Sequence, residues 1–232
     1  MKKIVLSGLF SFGVLLTYAQ TSLGVLGGLN IASQSQDKPL PGVFRKATTL
    51  WHAGLAADVK LTRNFYLQPQ LLVTAKGSKT QIRDVMDPAI GSVYNASSKI
   101  QLLYLELPLN VVCKFRLGPG KLLAGAGPYA AYGVGGKSTA NFYMNNGAVL
   151  SYQYDVKFRD KAGPETDESG KSYLYYQPVD FGVNFITGYE LKNGLAINFN
   201  YSVGLTDIAT WSSTVKNRYF GVTGGYFLKK RH

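Results

Sequence analysis

Seven charged residues fall on stretches otherwise built from Gly, Asn, Ser, Gln and Tyr: Asp58, Lys60, Lys76, Glu106, Lys114, Asp180 and Glu190. A carboxylate or an ammonium taken out of water must find a partner, so this set reads first as ion pairs and second as acid–base machinery. Glu106 is the strongest candidate for a functional charge. Its structural alternative is pairing with Lys60, Lys76 or Lys114. Hydrolytic or acyl-transfer chemistry would need a nucleophile with a base in reach. Asp84, Asp87, Ser92 and Ser97 share one polar segment, but no histidine lies there. The two histidines, His52 and His232, are far apart, and with the single Cys113 they give no metal-ligand spacing. Gly125-Ala126-Gly127 and Gly133-Val134-Gly135-Gly136 resemble a nucleotide loop, yet no strand-to-helix transition with a trailing acid follows. The expectation is therefore no catalytic set, no cofactor and no metal, and the seven charges are read as structural.

These residues must be positioned by elements of period two. From 103 to 115 every odd position is apolar (Leu103, Leu105, Leu107, Leu109, Val111, Cys113, Phe115). The even positions between them are mostly polar. Residues 65–75, 179–191 and 195–205 repeat the pattern, and weaker copies occur near 22–33, 49–61, 121–135 and 217–228. This is strand periodicity. Eight strands of about 11 to 15 residues follow, long enough to cross a bilayer at a tilt. Short turns at 62–64, 117–120 and 192–194 alternate with long connections at about 34–48, 77–98, 136–172 and 206–216. That alternation puts both termini on the short-turn side.

Composition decides which face meets what. Of 232 residues only 16% are charged, below the roughly 25% of a soluble domain, whereas 46% apolar content excludes disorder. A soluble barrel would put its polar face in water, dense in Lys and Glu. Here that face is sparse and suits a narrow enclosed lumen, with His52 on it, leaving Cys113 and the oily rows facing lipid. The fold expected is an all-β, eight-stranded antiparallel up-and-down transmembrane β-barrel with short periplasmic turns and long extracellular loops. Pro69, Pro108 and Pro128 lie on strands and predict bulges or kinks.

Lys2-Lys3, the apolar stretch Ile4–Leu16 and Thr17-Tyr18-Ala19 form a signal peptide, so residues 1–19 are read as a leader and 20–232 as one barrel domain. No later apolar run reaches the length of a membrane helix.

Tyr104-Leu105-Glu106-Leu107-Pro108-Leu109, followed by Lys114-Phe115, resembles the central strand of the PorT-like outer-membrane β-barrel proteins of Bacteroidetes. Gly28-Leu29-Asn30, Gly127-Pro128-Tyr129 and Gly224-Gly225-Tyr226-Phe227 are similar to that family too. The resemblance implies an eight-stranded barrel in the bacterial outer membrane and admits a role in protein secretion. The tail Leu228-Lys229-Lys230-Arg231-His232 departs from it, since such barrels often end on the aromatic.

Charge is uneven. The short-turn side carries nine bases, among them Lys60, Arg63, Arg116 and Lys121, against Asp58 and Glu190, and forms a basic rim that meets anionic headgroups. Nucleic acid, the usual partner of so basic a chain, is not expected for an exported one. In the loop 136–172, alternation over 148–158 after the Asn145-Asn146-Gly147 turn predicts that the fifth and sixth strands protrude as a hairpin, broken by a polar excursion at 159–171. Tyr143, Tyr152, Tyr154 and Phe158 are the partner-contact residues expected there. The functional expectation is a monomer in outer-membrane lipid with a structural or protein-binding role through its extracellular loops or periplasmic rim. A secretion component and a small pore are the alternatives.

Overall fold

The computed structural model describes residues 21–37, 42–87, 92–144, 147–164, 166–167, 170–211 and 213–228, and of 84–87 and 92–94 the backbone only. The leader, the Asn145-Asn146 turn and the tail from Lys229 lie outside these residues, as do the side chains of Asp84, Asp87 and Ser92. In chain order the strands are β1 (Thr21–Gln36), β2 (Val43–Lys46), β3 (Thr48–Lys60), β4 (Phe65–Asp87), β5 (Ser92–Leu117), β6 (Gly120–Tyr143), β7 (Val149–Phe158), β8 (Tyr173–Tyr176), β9 (Val179–Leu191), β10 (Leu195–Gly204) and β11 (Val215–Leu228).

Eight of them form a ring. Strand β1 pairs with β3 on one side and with β11 on the other, and β3-β4-β5-β6-β9-β10-β11 complete the circuit through antiparallel neighbours. Closure leaves the ring no free edge, which hydrocarbon requires because it offers backbone groups no partner. The tight turns are closed by residues suited to them. Gly194, for example, has φ +95° and hydrogen-bonds back to Leu191 O at 3.0 Å.

Alternation sorts the two faces as expected. Along β5, Leu105, Leu107, Leu109 and Val111 are exposed on the outer wall, whereas Tyr104, Glu106 and Asn110 between them are fully buried. The same split holds on β1, where Leu29 is exposed beside buried Asn30. The surface is thus oily, and the interior mixes buried polar groups with small apolar clusters such as Val112, Leu123 and Ile186.

Three features differ from the sequence expectation. The segment 77–98 is no loop: the β4–β5 ladder continues to Asp87↔Ser92. Ladder hydrogen bonds are indifferent to side-chain polarity, so a strand that leaves the membrane keeps its pairing after its oily face ends. The prolines do not shift register. Between Pro69↔Leu109 and Leu72↔Glu106 the pairing is interrupted and then resumes in step. The register shifts lie elsewhere, at Leu103/Tyr104 and Ile82/Val85. Finally, the protruding hairpin is β6 with β7, not β6 with the sixth ring strand. The excursion after Phe158 climbs back to the level of Asp155, so β8 descends parallel to β7 before β9 re-enters the wall.

Candidate functional site: a plugged lumen and its mouth

Six of the seven sequence-selected charges meet inside the barrel, in two clusters. In the upper one, Lys76 on β4 lies 2.7 Å from Glu106 on β5 and 3.0 Å from Asp180 on β9. Tyr219 Oη donates to Glu106 at 3.0 Å, Asn217 Nδ2 donates to Asp180 at 3.0 Å, and the ammonium sits 4.1 Å from the centre of the Tyr129 ring. In the lower one, Lys114 on β5 lies 2.5 Å from Asp58 on β3 and 2.7 Å from Glu190 on β9. The Tyr66 ring closes over it at 4.7 Å. Each lysine therefore ties three strands together across the bore.

Between the clusters, polar side chains share the lumen with the apolar cluster of Val112, Leu123 and Ile186. Asn184 donates to Asn110 at 3.2 Å and accepts from Ser202 at 2.7 Å. His52 is held by Asn30 and Thr223, each at 2.8 Å, so its ring is occupied by structural bonds. Lys60 is the exception among the seven. It has the inward parity but sits two residues beyond Asp58, at the mouth, and is exposed. There it joins Arg63, Tyr66, Arg116 and Lys121 around a groove of about 480 Å³ on the short-turn side.

The opposite mouth is closed by a cap that the sequence did not reveal. Val156 and Phe158 of β7, Leu174 and Tyr176 of β8, and Ile208 and Ala209 pack onto Ile100, Leu102, Tyr104 and Tyr129 of the wall. Phe158 meets Tyr104 edge to face at 5.3 Å. It seats because Gly133 leaves room: a β-carbon there would lie 2.3 Å from the ring. Gly133, with Gly136 beneath Val156, was the one signal for this, and neither names the side chain that fills the space.

Of the four expected contact residues, Tyr143 and Tyr152 are exposed on the protruding hairpin and Tyr154 is half-buried. Phe158 is corrected: it belongs to the cap, packed on Tyr104 and the buried cluster around it. The exposed Asp155–Lys171 pair, at 2.5 Å, joins β7 to the segment before β8. Its hydrogen bond holds the Asp155 carboxyl below the usual range and raises Lys171.

A profile for the family described as outer membrane protein beta-barrel domain matches residues 18–210. No curated protein matches the chain. Among solved structures it is similar to OprG of Pseudomonas aeruginosa (10% identity, 90% of this chain and 97% of that one, TM-score 0.43). It is also similar to neisserial surface protein A (11%, 89% and 97%, TM-score 0.39). A third is Ail, the attachment invasion locus protein of Yersinia pestis, in complex with the heparin analogue sucrose octasulfate (11%, 90% and 99%, TM-score 0.37). With the family profile spanning most of a chain that closes into an eight-stranded ring with an oily outer wall, the protein belongs to the outer membrane β-barrel domain family and resides in the bacterial outer membrane.

Proposed function

We propose that this protein is a non-enzymatic, plugged barrel that anchors a partner-binding hairpin above the outer membrane. The observation that carries this reading is the double use of β7. Its lower end seals the bore, and its upper end stands clear with Val149, Leu150 and Tyr152 exposed. Among the described residues, β8 covers β7 only over Asp155–Phe158, and no strand pairs with Val149–Tyr154 on the side away from β6. Such an edge offers unpaired backbone groups to an incoming strand, with aromatic side chains to choose it. The two lysine clusters and the cap support a closed bore over a small pore. The motif Tyr104–Leu109 supports placement in the PorT-like branch, and the leader at 1–19 supports export.

The test is photo-crosslinking on intact cells with a benzoylphenylalanine at Tyr152, and at Leu107 as the lipid-facing control. A discrete protein adduct at Tyr152 but not at Leu107 is the result expected. Adducts absent from both, together with stepwise conductance of the purified protein in planar bilayers, would replace this reading with a pore.

A further inference from the structure

The outer wall carries a row of lysines whose arrangement makes no sense within the chain. Strand register sets Lys46 of β2 directly opposite Lys79 of β4, and Lys79 directly opposite Lys99 of β5. On β6, Thr139 faces Lys99 and Lys137 faces Gln101, which puts Lys137 one diagonal step further along the same face. All four side chains are exposed. Like charges opposed across a ladder destabilise it. No acid with a described side chain is paired across the ladder with Lys46, Lys79 or Lys99. The four ring-strand acids whose side chains are described, Asp58, Glu106, Asp180 and Glu190, all face the lumen, and Asp155, opposite Lys137, is taken by Lys171.

The height of the row points to its partner. On β5 the outward apolar run ends at Leu103, and the next outward positions are Gln101 and Lys99. On β6 it ends at Val134, just below Lys137. The lysines therefore begin where the hydrocarbon band stops on the external side, at headgroup level. Four ammonium groups across three strand spacings span about 14 Å, wider than one phosphate needs. Lysine serves phosphate as a mobile point charge.

We propose that Lys46, Lys79, Lys99 and Lys137 form a binding row for phosphate-bearing lipid headgroups of the outer leaflet. The lipid supplies the negative charge that the wall lacks, and the row fixes the depth and rotation of the barrel. This site is separate from the partner-binding hairpin and does not rest on that reading.

The experiment uses the full folded protein in neutral detergent, with bisphosphorylated lipid A as probe and retention read by native mass spectrometry. A lysine at a lipid surface contributes about fivefold in affinity, so Lys79→Gln with Lys99→Gln should weaken retention about 25-fold. Heat-modified gel mobility shows that the variant remains folded. A second pair, Lys60→Gln with Arg63→Gln at the opposite rim, should leave retention unchanged. Inorganic phosphate and a soluble polysulfated glycan should not compete at equal charge. Three results would overturn the proposal: equal retention by the Lys79/Lys99 variant, loss only in the Lys60/Arg63 variant, or full competition by the soluble glycan, which would make the row a receptor for extracellular polyanions.

Discussion

Replacing Lys76 by Met tests whether the lumen is held by charge. Lys76 is 1% exposed and both carboxylates that it meets, Glu106 and Asp180, are 0% exposed. The substitution leaves two acids facing each other with no cation. Removing one partner of a buried pair costs about 3–5 kcal/mol. Here Tyr219 still donates to Glu106, and Asn217 and Tyr129 still donate to Asp180, so the lower end of that range applies. The triple variant Lys76→Met, Glu106→Gln, Asp180→Asn removes all three charges while keeping acceptors for those donors. It should return to within about 1 kcal/mol of the parent, because a neutral, filled lumen has no desolvated ion to support. Reversible urea unfolding in lipid vesicles, followed by the fluorescence of Trp51 and Trp211, measures both. A single variant as stable as the parent would refute the argument. So would a triple variant as unstable as the single one, since the cost would then come from packing rather than from orphaned charge.

Two further outcomes follow from the outer mouth. Gly133→Leu should push Phe158 out, since a β-carbon at 133 lies 2.3 Å from its ring; limited proteolysis should then cut between 149 and 176 about tenfold faster, as expected for local opening, and Phe158→Ala should restore resistance. Acid should loosen the β7–β8 junction late: because Lys171 depresses Asp155, their attraction is intact above the ordinary carboxylate value of 3.8 and fades only as pH falls below it, with hydrogen exchange at Tyr173–Tyr176 reporting the change.

Much of the barrel was legible because a membrane wall has a severe pattern. Oil must alternate with polar residues wherever lipid lies on one side and a narrow lumen on the other, and Leu103–Phe115 shows both faces at once. The pattern fails where the membrane ends. Residues 78–81 and 97–99 are polar on both faces, so nothing in them separates a ladder from a loop, although backbone pairing runs straight through. The charges were legible as a set, but their partition was not. Which acid meets Lys76 and which meets Lys114 depends on stagger around the ring, to which single-strand parity is blind. Lys60 shows the same limit, with the right face and the wrong height. The cap was hidden because Val156 and Phe158 follow ordinary strand alternation, and only the space at Gly136 and Gly133 seats them against the wall.

The orientation of the wall is the claim on which the rest depends. Its most direct measurement is a nitroxide scan of residues 103–111 on β5, in a Cys113→Ser background and lipid vesicles, reading collisions with oxygen and with a water-soluble nickel chelate. Oxygen accessibility should peak at 103, 105, 107, 109 and 111, with both reagents excluded at 104, 106, 108 and 110. Nickel collisions at the odd positions, or oxygen peaks at the even ones, would contradict an oily wall around a closed polar lumen.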